Sequence, residues 1–283
     1  MIKDNSKFNT VFPELDAVLR EWVSRVREVL HDNFIGAYLQ GSAAVGGFDK
    51  DSDVDFIVVI NRELSDTQIN KLQALHARLF TLASEWARHL EGSYFPAAVL
   101  KDYDQKGSDL WYLEHGVSVL VKSNHCNTVV VRWILREKGV ILAGPEPSTL
   151  MDPIPVEVLR RDMLTAINFW GTEILRNPQQ YNNRFYQSYI VLNFSRMLHD
   201  FYTGTAGSKP AGAEWAGNYL DKAWSGLIDR AWNGRPNPAV SVRQPADCTD
   251  FKMTLVFVGE VMRAANDLAT AEGFLRGGTD RHP

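Results

Sequence analysis

The sequence predicts an α+β protein of two domains, with a mixed sheet and helices in the first and an all-α helical bundle in the second. Apolar strands and amphipathic helices alternate over the first 150 residues, a pattern typical of a sheet covered by helices. A turn-rich segment at 144–155 then contains four prolines and marks a domain boundary. No convincing strand pattern follows it. We therefore assign 1–150 to the first domain and 151–283 to the second.

The elements follow from the period of the apolar residues. An apolar stripe at helical spacing over 14–31 predicts an amphipathic helix, and apolar runs at 34–40 and 54–60 predict strands. The other elements of the first domain are predicted in chain order: a helix capped by Ser65 whose pattern continues to His89, a strand at 90–100, a loop at 101–116, a strand at 117–122 and a helix at 128–138. The second domain is predicted to contain helices at 155–176, 184–203, 212–220, 221–232 and 249–275.

The composition is that of a soluble globular protein without a strong overall charge. The 283 residues are 45% hydrophobic, and the formal net charge is −4. Because proteins that bind nucleic acid usually carry a basic field, we expect a small-molecule partner and no nucleic acid. The chain has no apolar stretch of membrane-spanning length and no signal-peptide pattern, and Cys126 and Cys248 lie in no disulfide or zinc spacing. We expect a cytoplasmic monomer that does not bind membranes.

Residues 34–60 carry the clearest chemical signal. Gly41 and Ser42 end the first strand, where backbone N–H groups and a hydroxyl can bind a phosphate. Asp53 and Asp55 open the second strand and, two residues apart, leave the same face of the sheet. Paired carboxylates repel each other unless a cation lies between them, and hard oxygen ligands suit Mg²⁺. We therefore predict a magnesium site at Asp53 and Asp55 beside a phosphate site.

The pattern Gly-Ser, ten residues, Asp-x-Asp resembles the signature of the nucleotidyltransferase superfamily, whose fold is that of DNA polymerase beta. Nucleotidyl transfer needs a base that takes a proton from the attacking hydroxyl. Glu91 is the best candidate, because its predicted strand is expected beside the Asp55 strand in the same sheet. The alternatives are an ordinary turn, a solvated strand start, and a buried ion pair between Glu91 and an arginine.

The predicted loop at 101–116 supplies candidate substrate contacts, since loops on a rigid scaffold often carry binding residues. Trp111 and Tyr112 can stack on a substrate ring or pack on their own domain. Asp109 can attract a cationic ligand or remain solvated. We predict Asp109 and Trp111 as contacts to the substrate.

Over residues 30–235 the chain also resembles the aminoglycoside adenylyltransferases of the streptomycin and spectinomycin type. The resemblance is carried by four stretches in the same order: GSAAVGGFDKDSDVDFIVV, a strand with a glutamate, REKGVILAGPEP, and FSRMLHDFYTG followed by SKPAGAEWA. It implies ATP and Mg²⁺ as cofactors and AMP transfer to a hydroxyl of a small molecule, with Asp53 and Asp55 holding Mg²⁺ and Glu91 as the base.

The same resemblance implies that Arg196 of the Ser-Arg pair and Lys209 of Ser-Lys-Pro contact the ATP phosphates from the second domain. The alternative for both is an ordinary surface charge. Streptomycin-modifying members carry an acidic residue about three helical turns before the arginine, whereas this chain reads Phe-Tyr-Gln-Ser at 185–188. We predict Tyr186 as an acceptor contact, and the departure leaves the acceptor open.

Four functions remain under consideration on the sequence. The leading one is ATP- and Mg²⁺-dependent transfer of AMP to a small, aminoglycoside-like molecule by in-line attack. The alternatives are adenylylation of a protein or of a metabolite that is not an antibiotic, a nucleotide-binding regulator without catalysis, and a glycosyltransferase that uses the Asp-x-Asp motif. The Gly-Ser turn counts against the last.

Overall fold

The computed structural model describes residues 10–236 and 238–274. Contacts divide the chain into two compact units, Met1–Ile154 and Pro155–Pro283, and each is described by itself. The division into folding domains at residue 150 stays a prediction. Within the part of the chain that the structure describes, no helix is both long and apolar enough to cross a membrane.

A six-stranded mixed sheet is the frame of the first unit. The strands are β1 (Phe34–Leu39), β2 (Val54–Ile60), β3 (Leu90–Pro96), β4 (Leu110–Leu113), β5 (Leu120–Ser123) and β6 (Val140–Ala143). Their order across the sheet is β5-β4-β3-β2-β1-β6. Only β2 and β3 pair in parallel, and the other neighbours are antiparallel. A parallel pair needs a crossover connection, and a helix between β2 and β3 provides it. The predicted mixed sheet is confirmed.

Within the described residues of this unit, five α-helices accompany the sheet, and the three longer ones bury an apolar stripe. The five are α1 (Pro13–Leu30), α2 (Gly41–Val45), α3 (Asp66–Phe80), α4 (Ala97–Lys101) and α5 (Val129–Lys138). Trp22 of α1 is fully buried against Phe56 of β2, with ring centroids 4.7 Å apart. Ser65 caps α3 in a capping box with Gln68, as the predicted cap requires. A second apolar cluster on the opposite face includes Ile57 and Tyr112.

Three predicted elements of this unit are wrong in extent. Helix α3 ends at Phe80 and not near His89, because the Thr81 hydroxyl donates to the Arg78 carbonyl 2.7 Å away and competes with the helical hydrogen bonds. Strand β3 ends at Pro96, and α4 occupies the rest of the predicted strand at 90–100. The strand predicted at 117–122 is observed later, at Leu120–Ser123.

The predicted loop at 101–116 is also wrong in part, since it contains β4. This strand is only four residues long, and polar residues on its N-terminal side hide its alternation. It is held by antiparallel pairing with β3 on one side and β5 on the other, so tertiary contacts override the local signal.

The second unit is all-α over the residues described, which confirms the predicted helical bundle. Its helices are α6 (Val156–Arg176), α7 (Arg184–Thr203), α8 (Lys209–Tyr219), α9 (Ser225–Asn233), α10 (Pro238–Ser241) and α11 (Cys248–Ala271). Helix α7 is the central one, with twelve buried residues. It ends at Gly204, whose φ of 69° is the left-handed conformation of a helix C-cap. Residue 275, the predicted end of the last helix, lies outside the described residues.

Candidate active site

The parallel pairing of β2 and β3 brings two predicted site residues together. Asp55 pairs with Glu91 in the register of the two strands, so their side chains leave the same face of the sheet as neighbours. The prediction that the Glu91 strand lies beside the Asp55 strand is confirmed. Glu91 is more enclosed than Asp53, since only 13% of its side chain is exposed against 49% for Asp53.

Two side chains from the β4–β5 region contact the Glu91 carboxylate. The Tyr112 hydroxyl donates to Glu91 Oε1 across 2.5 Å, and His125 Nε2 lies 3.4 Å from the same oxygen. Burial raises the pKa of Glu91, while the hydrogen bond from Tyr112 acts in the opposite direction because it favours the ionised carboxylate. In the described part of the chain, Glu91 therefore pairs with a tyrosine and a histidine, and not with the arginine of the alternative interpretation.

Asp53 pairs with a histidine that the sequence analysis did not identify. His115 Nδ1 lies 2.6 Å from Asp53 Oδ1, and the close approach of this carboxylate raises the pKa of His115. One ligand atom from each of Asp53, Glu91 and His115 lies within 4.8 Å of the other two. Two carboxylates and an imidazole at this spacing could hold one divalent cation.

Position 41 requires glycine because a side chain there would overlap the Asp55 carboxylate. Its φ is +57°, and a Cβ added there would lie 2.0 Å from Asp55 Oδ2. The predicted turn at Gly41 and Ser42 forms the first residues of the short helix α2, in which the Gly46 N–H donates to the Ser42 carbonyl. The phosphate-binding residues predicted from the motif therefore lie directly beside the second aspartate.

Trp111 and Asp109, two residues predicted to contact the substrate, are not placed beside the carboxylates of the site. Trp111 neighbours Tyr94 in the register of β4 and β3 and packs against the apolar cluster under α1 and α3, on the face opposite Tyr112. The Lys122 ammonium lies 5.1 Å from the centroid of its indole ring. Asp109 is exposed just before β4. Substrate binding by either residue stays a prediction, without support from this geometry.

Sequence reasoning missed His115 and His125 as members of this cluster. Each follows a short strand of the β4–β5 hairpin, and the local sequence gives no metal-ligand spacing. They can be found only once β4 is paired with β3. For Tyr112 the sequence left stacking on a substrate and packing on its own domain as alternatives, and in the structure its hydroxyl contacts Glu91.

The second unit places Arg196 on α7 and Lys209 at the first turn of α8. Arg196 Nη2 donates to Asn193 Oδ1 at 2.8 Å, and the Lys209 ammonium lies 5.4 Å from the centroid of the Tyr189 ring, two turns before Arg196 on the same helix. Both cations therefore lie along one side of α7. Tyr186 packs edge-on against Tyr181 and joins an aromatic cluster at the start of α7.

A buried carboxylate fixes the loop between α7 and α8. Asp200 Oδ1 accepts a hydrogen bond from the Gly207 N–H at 2.8 Å and lies 2.9 Å from His199 Nδ1. Burial raises the pKa of Asp200. Gly212 of α8 lies so close to α7 that an added Cβ would be 2.5 Å from the Arg196 Cα. The positions of Lys209 and Arg196 thus depend on close helix packing.

Comparison with known proteins agrees with both units. Residues 23–87 match the nucleotidyltransferase domain family, and residues 149–246 match the C-terminal domain of aminoglycoside adenylyltransferases. A spectinomycin 9-adenylyltransferase from Staphylococcus aureus is 26% identical over 74% of this chain and 80% of the relative. An aminoglycoside (3'') (9) adenylyltransferase from Escherichia coli is 24% identical over 77% of this chain and 84% of the relative.

A solved structure shows the same fold. The spectinomycin adenyltransferase AAD(9) from Enterococcus faecialis, solved with ATP and spectinomycin, superposes with a TM-score of 0.66 at 16% identity. The superposition covers 91% of this chain and 100% of that chain. The chain therefore carries a nucleotidyltransferase domain followed by a C-terminal domain of the aminoglycoside adenylyltransferase type, and the relatives it resembles over most of its length are named adenylyltransferases.

Proposed function

We propose that the chain transfers AMP from ATP to a hydroxyl of an aminoglycoside-like antibiotic, with a bound divalent cation and Glu91 as the base. The observation that carries the proposal is the β2–β3 register, which sets Glu91 beside Asp55 in a chain with these two domain types. The relatives named for adenylyl transfer support the reaction class.

The donor set fits the cation that the superfamily implies. Asp53 and Asp55 are the proposed ligands, and the spacing of Asp53 and Glu91 shows that carboxylate oxygens converge here. When bound, Mg²⁺ would neutralise charge on the triphosphate and on the departing pyrophosphate. The two aspartates supply hard oxygen ligands for such an ion.

Glu91 is proposed to take the proton of the attacking hydroxyl. The acceptor oxygen forms a bond to the α-phosphorus of ATP, the bond from that phosphorus to the β-phosphate oxygen breaks, and the proton passes to the Glu91 carboxylate. Pyrophosphate leaves with the electron pair of the broken bond. The partial burial of Glu91 favours this role because a raised pKa makes a carboxylate a stronger base.

Four residues are proposed to bind the triphosphate. Gly41 and Ser42 would offer the backbone and hydroxyl groups beside Asp55, and the contact between Gly41 and this carboxylate supports their position. Arg196 and Lys209 are proposed as phosphate contacts from their resemblance to the family positions. A guanidinium and an ammonium are both common phosphate ligands.

Spectinomycin is the acceptor that we propose first. The Staphylococcus aureus relative is named a spectinomycin 9-adenylyltransferase, and the Escherichia coli relative an aminoglycoside (3'') (9) adenylyltransferase. The segment Phe-Tyr-Gln-Ser at 185–188 has no carboxylate to pair with a strongly cationic antibiotic such as streptomycin. An aromatic surface at Tyr186 suits a less charged acceptor.

The test is pyrophosphate release from ATP and Mg²⁺ by the purified chain, with spectinomycin, streptomycin and other aminoglycosides added one at a time. We expect release that requires one acceptor, with the adenylylated antibiotic found by mass spectrometry. A chelator should abolish the release. Binding of ATP without release for any acceptor would overturn the proposed function, and AMP label on a protein band would assign the chain to protein adenylylation.

A further inference from the structure

We propose that His115 is a nitrogen ligand of the cation site at Asp53, so that the site binds first-row transition ions such as Mn²⁺ more tightly than Mg²⁺. The inference deepens the proposed function, since it concerns the cation that the reaction would use. It rests on the side chains of this chain, and metal binding alone can test it.

The first support is the convergence of three side chains. His115 Nδ1 lies 2.6 Å from Asp53 Oδ1. One ligand atom from each of His115, Asp53 and Glu91 lies within 4.8 Å of the other two. Ligands bound at about 2.0–2.2 Å to one ion are separated by roughly 3–4 Å. Small side-chain movements would therefore bring His115 Nδ1 and Asp53 Oδ1 onto a single cation beside Glu91.

The second support is that the imidazole is held in place. His115 lies in the β4–β5 turn, where the next residue, Gly116, donates its N–H to the Arg88 carbonyl at 2.9 Å. The His89 ring packs edge-on against the His115 ring, with centroids 5.0 Å apart. His89 Nδ1 in turn lies 3.0 Å from the carbonyl oxygen of Ser52, the residue before Asp53. These contacts tie the histidine to the segment that carries the aspartate.

The third support is ligand chemistry. Imidazole is a ligand for first-row transition ions, the series to which Mn²⁺ belongs, whereas Mg²⁺ prefers oxygen ligands and retains several waters. A site of carboxylates alone has little means to distinguish Mn²⁺ from Mg²⁺. Adding the His115 nitrogen to the proposed oxygen ligands Asp53 and Asp55 gives the site a ligand that stabilises bound Mn²⁺ more than bound Mg²⁺.

A purely electrostatic role for His115 makes the opposite prediction. A protonated imidazole beside Asp53 would repel any cation and neutralise the carboxylate. Its removal would then strengthen Mn²⁺ and Mg²⁺ binding by the same factor. The ratio of the two affinities therefore distinguishes a metal ligand from a charge partner.

The experiment titrates the purified full chain with Mn²⁺ in the absence of nucleotide, follows free Mn²⁺ by electron paramagnetic resonance, and obtains the Mg²⁺ affinity by competition. His115→Ala should weaken Mn²⁺ binding by at least about tenfold and change Mg²⁺ binding by no more than about twofold. Bound Mn²⁺ in the wild type should show spin-echo modulation from a ¹⁴N nucleus, and this signal should be lost in His115→Ala.

His125→Ala is the matched control, since its imidazole also lies near Glu91 but is not one of the three converging side chains. It should leave the ¹⁴N signal and the ratio of Mn²⁺ to Mg²⁺ affinity unchanged. Equal gains for both ions in His115→Ala, absence of the ¹⁴N signal in the wild type, or no Mn²⁺ binding would each overturn the inference. If the ¹⁴N signal is found but no acceptor supports pyrophosphate release, the proposed function is rejected and the metal site is still supported.

Discussion

The strand pair β2–β3 and the helix pair α7–α8 position their polar side chains by different means. In the strand pair, backbone register alone sets Asp55 beside Glu91. In the helix pair, the positions of Arg196 and Lys209 depend on how closely two helices pack, through Gly212 and the loop held by Asp200. A sheet thus fixes functional groups through main-chain hydrogen bonds, whereas the bundle fixes them through packing, which a single added methyl group can disturb.

Among variants that test how each pair positions its side chains, the largest effect is expected where the sheet site has no space for a side chain. Gly41→Ala would put a Cβ 2.0 Å from Asp55 Oδ2 at a φ of +57°. The carboxylate must then move, so we expect a fall in kcat/KM of about a hundredfold, together with about 1–2 kcal/mol of lost stability from the left-handed backbone. Steady-state kinetics and urea unfolding measure the two effects.

Gly46→Ala is the control for Gly41→Ala. Its φ of +90° and ψ of 163° lie in a region that essentially only glycine adopts, so the backbone strain is at least as large as at Gly41, but an added Cβ would meet no atom within 4 Å. We expect at least as large a loss of stability and nearly full activity. Equal activity losses in the two variants would show that backbone strain, and not the contact with Asp55, limits the site.

The second effect tests the packing of the helix pair. Gly212→Ala would place a Cβ 2.5 Å from the Arg196 Cα, and we expect about 1–3 kcal/mol of destabilisation as the helices separate. Gly217→Ala on the same helix meets no atom within 4 Å and should stabilise the protein by up to about 1 kcal/mol. Thermal unfolding compares the two. If both variants are stabilised, the close approach of α7 and α8 is not a determinant of this unit.

The smallest effect concerns the hydrogen bond from Tyr112 to Glu91. Burial raises the pKa of Glu91, so the base form is present above this raised pKa and activity is lost as the pH falls through it. Because the Tyr112 hydroxyl favours the ionised carboxylate, Tyr112→Phe should move the acidic limb of the kcat profile to higher pH. At a pH below the midpoint of the wild-type acidic limb, we expect the kcat of Tyr112→Phe to be about tenfold lower than that of the wild type.

Tyr38→Phe serves as the control for Tyr112→Phe. The Tyr38 hydroxyl is on the same face of the sheet but donates to the Pro145 carbonyl at 2.8 Å. Its removal should lower stability without moving the acidic limb. An unchanged profile in Tyr112→Phe would mean that the tyrosine does not influence the base.

The contrast also explains what the sequence could predict. Strands β2 and β3 have seven residues each and enough apolar residues to be predicted as strands, so the neighbourhood of Asp55 and Glu91 could be expected from the sequence. Strand β4 is short and was predicted as a loop. The faces taken by Trp111 and Tyr112 follow from its pairing with β3, and were therefore beyond prediction.

The positions of the two histidines near the carboxylates, His115 and His125, could not be predicted from the sequence either. His115 reaches Asp53 from the turn after β4, and His125 reaches Glu91 from the segment after β5. Both contacts join residues that are distant in sequence through a hairpin whose strands have four residues each. Local propensity carries little information about such pairing, since cross-strand contacts decide it.

The central claim is that Glu91 acts as the base, and the most direct test is the kcat of Glu91→Gln with the acceptor that supports turnover. The substitution preserves shape and removes the proton acceptor. We predict a fall in kcat by a factor of roughly 10²–10⁴ with an unchanged Kd for ATP. A variant that binds ATP and retains the wild-type kcat would contradict the account.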